Sequence, residues 1–233
     1  MTENSFPVYL HGGGARPGTF QAFVQAARPD AARPVVFLYL AGSEDELPET
    51  HATFQLDEQT FHAIGVSAAS PVDAAVLRAV QPSGIFIAGG PTPLYQEALC
   101  ADMSWLDYAR ESRIPLGGTS AGAAVLPRQA IVGGWQVRRA DRLTQMLYQG
   151  AGEGLDELEV RPGLGVVSFS VDVHASQWGT LSRLLHAVDT GAVAEGWAID
   201  ENTFLIVENG QMRVSGWGQV YHVRKGRRLD VAI

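Results

Sequence analysis

The chain has 233 residues, 46% hydrophobic and 18% charged, long enough to bury a full core as one α/β domain. Its formal net charge of −8 argues against a phosphate-backbone surface, and its one basic run, Arg224-Lys225 with Arg227-Arg228, reads as a solvated tail, so no nucleic-acid partner is expected. Cys100 is the sole cysteine, which rules out an intrachain disulfide, and no stretch has a signal-peptide or membrane-span pattern, so a soluble, cytoplasmic protein with no membrane partner is expected.

No period repeats and no segment reads as a linker, so residues 1–233 are taken as a single domain. Val8 to Leu10 reads as a first strand before His11-Gly12-Gly13-Gly14, and Thr19 to Ala27 as a helix. Val35 to Leu40 is near-continuously apolar, as a strand covered on both faces must be. Helices are expected over Pro48 to Ala63 and Val72 to Val80, with a short strand at Gly65 to Ala69 between them. Gly84 to Ala88 is a strand ending in Gly89-Gly90, followed by a long helical region from Pro93 to Glu111. Ile114 to Gly117 is a short strand feeding a turn at Ser120, and Ala121 to Leu126 opens the next helix. Beyond Pro127, strands are expected at Ala130 to Val132 and Gly165 to Val173, with helices at Arg142 to Tyr148 and Trp178 to Val188. Gly196 to Val231 alternates apolar and polar residues around an Asn209-Gly210 turn and reads as antiparallel strands at a sheet edge. Alternating strands and helices imply a parallel sheet, whose functional crevice lies at the carboxyl ends of the strands, where three glycine clusters would converge.

Gly118-Thr119-Ser120-Ala121-Gly122 matches G-x-S-x-G, the pattern of a nucleophilic serine on a tight strand-to-helix turn. A serine hydroxyl needs a base, the base an orienting carboxylate, and the tetrahedral intermediate two N–H donors. Of six histidines, His51 and His62 fall in one helical pattern, His186 in another and His222 in the C-terminal strands. His11 precedes the glycine triplet, where either a crevice or a structural role fits. His174 ends the apolar strand Val166 to Val173 and so points into the same crevice as Ser120, which makes it the candidate base. Glu201 is the first choice of carboxylate, with Asp172 and Asp141 as alternatives. The Ala121 N–H is the natural first oxyanion donor, and Gly89-Gly90 either supplies the second or forms a plain turn. The HGGG run permits an esterase of the α/β-hydrolase type, although no late histidine lies in a suitable loop. Neither a dinucleotide or P-loop pattern nor a metal-ligand cluster is present, so no cofactor or metal is expected.

Taken in order, the glycine triplet after the first strand, the Gly-Gly strand end, Gly-Thr-Ser-Ala-Gly-Ala, Asp172-x-His174 and Ile199-Asp200-Glu201 resemble the serine peptidase family of peptidase E and cyanophycinase. The resemblance covers nearly the whole chain and implies an α/β parallel-sheet sandwich like that of class I glutamine amidotransferases, here with C-terminal antiparallel strands. It implies Ser120 as nucleophile, His174 as base, Glu201 as third member, Gly90 and Ala121 as oxyanion donors, and no cofactor. The chain departs from cyanophycinases where two of three arginines after the histidine become Trp178 and Thr180, and where Gly-Gly-Asp-Gln becomes Gly89-Gly90-Pro91-Thr92. Neither cyanophycin nor strictly an N-terminal aspartyl dipeptide is then the expected substrate. Thr92, Asp172, Trp178 and Arg183 are the candidate substrate contacts, with Arg183 or the Arg138-Arg139 pair for a substrate carboxylate and Trp178 for an apolar or aromatic side chain. The expected activity is exopeptidase cleavage of short peptides by a homodimer. The alternatives are an esterase or amidase with the same triad, or a silent ligand-binding protein.

Overall fold

The computed structural model describes residues 6–226 and 229–233, so Arg227 and Arg228 lie outside the described residues. In chain order the first half comprises β1 (Val8–His11), α1 (Gln21–Ala27), β2 (Val35–Leu40), α2 (Leu47–Phe54), β3 (Phe61–Val66), α3 (Ala74–Val80), β4 (Gly84–Ile87), α4 (Thr92–Cys100), α5 (Ser104–Glu111), β5 (Leu116–Thr119) and α6 (Ala121–Ala124). The second half comprises β6 (Gln129–Gly133), β7 (Gln136–Arg139), β8 (Arg142–Gln145), β9 (Glu159–Pro162), β10 (Ser170–Val173), α7 (Leu181–Thr190), β11 (Glu195–Ile199), β12 (Thr203–Glu208), β13 (Gln211–Gly216), β14 (Val220–Lys225) and β15 (Leu229–Ala232).

A seven-stranded sheet in the order β13-β12-β1-β5-β4-β2-β3 forms the centre. From β1 to β3 its neighbours are parallel, and the β12–β13 hairpin is added antiparallel on the β1 side. The four residues of β1 and of β4 are all buried, which explains why both read as unbroken apolar runs. Phe20, Phe23, Phe54, Phe86 and Phe204 pack edge-on or stacked on the face covered by α1 and α2. A second, four-stranded sheet, β10-β11-β14-β15, carries α7 through Leu184, Ala187, Val188 and Val223.

The expected α/β architecture with a mainly parallel sheet is present, and the differences are local. The helix from Pro48 stops at Phe54, where Gln55 turns left-handed, so His62 sits on β3, and that strand starts four residues before the expected Gly65. Arg142–Gln145 is a strand of the β7–β8 hairpin; all four residues are exposed and give a helix no apolar stripe to bury. The helical region from Pro93 is two helices, broken where the Asp102 carboxylate accepts the Ser104 N–H at 2.7 Å. The strand ending at His174 begins only at Ser170, and β9 pairs with β6. The C-terminal strands do not share one edge: β12 and β13 enter the large sheet, β11 and β14 the small one, and β11 is parallel to β10.

Arg183 and Asp172, both buried, join α7 to β10 through two hydrogen bonds of 2.8 and 2.6 Å, and Arg183 also donates to Ala151 O at 2.8 Å. Removing one partner of such a pair strands the other charge in the core. Arg183→Met is expected to lower stability by about 3–5 kcal/mol, read from urea unfolding; a loss below about 1 kcal/mol would show that the pair is not desolvated as described.

Candidate active site

Strand β5 delivers Ser120 to the residue before α6, at φ 51° and ψ −120°, a backbone region that L residues rarely occupy. The turn is held by close backbone approach. A Cβ on Gly118 would lie 2.4 Å from Gly122 C, and one on Gly122 would lie 2.4 Å from Ile87 O. The Gly122 N–H donates to Ala88 O and the Ser120 N–H to His11 O, each at 3.0 Å. Both glycines of the motif are therefore packing requirements of the turn that exposes the hydroxyl.

His174 stands at the carboxyl end of β10 with its Nε2 2.8 Å from Ser120 Oγ and its Nδ1 2.8 Å from Glu201 Oε1. Those partners fix the neutral tautomer: Nδ1–H donates to the carboxylate, and Nε2 accepts the serine proton. Burial pulls the His174 pKa below its ordinary 6.5, opposed by the hydrogen bond and charge of Glu201. Trp178 lies flat on the imidazole, with ring centres 3.8 Å apart and planes 6° off parallel, and its main-chain N–H donates to His174 O at 2.9 Å. Asp200, next to Glu201, accepts the N–H groups of Ser176 and Gln219, both at 2.9 Å, and so ties the acid's turn to the loop after His174.

Of the three carboxylates weighed, only Glu201 touches the base. Asp172 is spent on Arg183, and Asp141 sits in the exposed turn between β7 and β8. The glycine triplet proves to be the seat of the histidine. A Cβ on Gly13 would lie 2.1 Å from the His174 ring, His174 N–H donates to Gly12 O at 2.9 Å, and Asn202 N–H donates to Gly13 O at 2.6 Å. That role was missed from the sequence, although the triplet itself was its signal.

His11 is buried between Phe20 and Phe204, with Nδ1 2.8 Å from Thr119 Oγ1, and burial pushes its pKa down to about 3, so it is neutral. The other histidines lie elsewhere: His51 against Phe61, His186 by Arg139, His222 on Trp197 and Glu195. Gly90, at φ 143°, ends the loop after β4, and the Ala121 N–H is the first of α6, with no acceptor inside the helix.

Part of the sequence matches known proteins. A cyanophycinase from Synechococcus elongatus is 33% identical over 144 residues, 59% of this chain and 40% of that protein. One from Trichormus variabilis is 31% identical over 149 residues, 59% of this chain and 44% of that protein. The match thus spans less than half the length of these relatives. A peptidase from an acI-B1 Actinobacterium superposes with TM-score 0.67 at 15% identity, covering 99% of this chain and 96% of that one. Part of the chain is thus similar in sequence to cyanophycinases, and its fold is similar to that of a peptidase. No family model matches the sequence.

Against the cyanophycinase-type pattern, the residues expected to hold substrate are mostly engaged within the protein. The Thr92 N–H and hydroxyl both donate to the Glu153 carboxylate at 3.3 Å, and burial raises the Glu153 pKa. Asp172 and Arg183 hold each other, Arg138 is paired with Glu157, and Arg139 with Asp189. Trp178 keeps an exposed face. Thr92, Asp172 and Arg183 are therefore bound to partners inside the protein, pairings that no spacing in the sequence reveals.

Gly13→Ala is expected to push the His174 ring aside and lower turnover at least about 100-fold with far-UV circular dichroism unchanged. A histidine accepts a proton only when neutral, so an activity that uses His174 as its base should rise with pH through a midpoint below 6.5. Glu201 raises that midpoint, so Glu201→Gln should move it lower still while cutting kcat about 100-fold or more, measured as a kcat–pH profile.

Proposed function

We propose that this chain is a serine peptidase that hydrolyses short peptides as an exopeptidase. The observation that carries the reading is the unbroken line Ser120 Oγ–His174–Glu201, with both hydrogen bonds at 2.8 Å. His174 Nε2 takes the Ser120 proton as Oγ bonds to the scissile carbonyl carbon, and Glu201 stabilises the imidazolium. The N–H groups of Gly90 and Ala121 receive the oxyanion. As the carbonyl reforms, the C–N bond breaks and the leaving amine collects the proton from His174. Water, deprotonated by the same nitrogen, then releases the acyl group and regenerates the serine.

Confinement supports a preference for short substrates. The partly buried Glu153–Thr92 hydrogen bonds lie two residues past Gly90, and Trp178 occupies one face of the His174 ring. The single cysteine suits a cytoplasmic site of action, and no helix among the described residues is long and apolar enough to cross a membrane.

A fluorophosphonate probe is expected to label the wild-type protein and not Ser120→Ala, read by intact-mass spectrometry. Failure to label Ser120 would overturn the reading. Turnover of a dipeptide and tripeptide panel that exceeds hydrolysis of p-nitrophenyl esters supports a peptidase; ester hydrolysis without peptide cleavage points instead to an esterase.

A further inference from the structure

A cavity of about 280 Å³ opens at the carboxyl ends of the central strands, immediately beside the proposed nucleophile. Its lining presents the half-buried ring of Tyr39 and the side chain of Leu47 over a floor of the buried rings of Phe20, Phe37, Phe54 and Tyr95, and Gly89 and Thr119 lie beside the Ser120 turn. The buried Tyr95 hydroxyl is already used, donating to Gly89 O at 3.1 Å and accepting the Leu40 N–H at 3.2 Å, so it offers a ligand no polar contact. The charged groups at the cavity are the exposed carboxylates of Glu46 and Glu49; no Lys or Arg lines it among the described residues.

Which side of the scissile bond this cavity serves follows from the alternation of β5. Gly118 packs against Gly122 of α6, so its neighbour Thr119 points to the opposite face, toward Phe20 and Phe54. His174 arrives from β10, the strand packed against α6. Ser120 is thus flanked by Thr119, which lines the cavity, and by His174, whose Nε2 lies 2.8 Å from its Oγ. The leaving amine must face the base that protonates it, which turns the residue supplying the carbonyl toward the cavity.

We propose that this cavity binds the side chain of the carbonyl-supplying residue and that it selects an aromatic one, phenylalanine or tyrosine. Ring walls give an aromatic side chain edge-to-face and stacked contacts together with apolar burial. An aspartate or glutamate there would find no cation and would meet the fields of Glu46 and Glu49. The assignment to this side of the bond rests on Ser120 being the nucleophile; the aromatic preference does not.

The test measures binding apart from turnover. Calorimetry on the Ser120→Ala protein with Phe-Ala, Ala-Ala and Asp-Ala should give Phe-Ala about 10-fold or more tighter than Ala-Ala, with Asp-Ala weakest. Thr50→Phe at the mouth, or Ala15→Phe on the opposite rim should the first misfold, should bring Phe-Ala within about threefold of Ala-Ala. Equal binding of Phe-Ala and Ala-Ala, tightest binding of Asp-Ala, or a preference untouched by both filling variants overturns the proposal. Fluorophosphonate labelling of the wild type separates the two readings. A labelled Ser120 without aromatic preference removes only the pocket, whereas aromatic preference without labelling leaves the pocket and removes the serine peptidase.

Discussion

Everything at the site depends on one close backbone approach, that of α6 onto the ends of β4 and β5. Gly118 meets Gly122, and Gly122 meets the carbonyl of Ile87, at separations no side chain tolerates. That contact fixes the turn so tightly that Ser120 is held at φ 51°. The hydroxyl is thereby lifted out of the sheet while the helix's first N–H is left free inside the crevice. The strain is local, and the fully buried neighbours Ala121 and Ala123 and the parallel ladder β1–β5–β4 hold it in place.

The histidine is governed by two opposed influences. Desolvation favours the neutral imidazole that can accept a proton, and Glu201 favours the cation that forms once it has done so. Trp178 adds a flat aromatic surface against the ring, restricting its rotation and offering its π face to the transient charge. The Arg183–Asp172 pair one strand residue away performs no such service for the substrate; it locks α7 to β10, and so fixes the strand end from which His174 projects.

The features legible in the sequence were those with a backbone cause. Gly118 and Gly122 around a serine, and a histidine ending an apolar strand, declare a geometry because only small residues or strand ends fit there. Glu201 could be ranked but not separated from Asp172 by the residues alone, since the pairing of Asp172 with Arg183, eleven positions away, depends on how α7 packs. The Arg142–Tyr148 segment misled for a related reason: its first four residues are exposed and pair with β7, and only Met146 and Leu147 find a buried surface, against Val137 and Ala151. The β12–β13 hairpin was visible in its Asn209-Gly210 turn, but its insertion beside β1 rather than at a separate edge is decided by long-range pairing.

That insertion has a consequence for the life history of the molecule. Strands β1, β4 and β5 and the Ser120 turn all precede β6, whereas Glu201 and the β12 strand that anchors its turn beside β1 follow β11 and are made much later. A nascent chain can build the parallel ladder and its strained serine long before the acid arrives. The Ser120–His174–Glu201 contacts can therefore form only after Glu201 has been made, well after the turn that holds the serine.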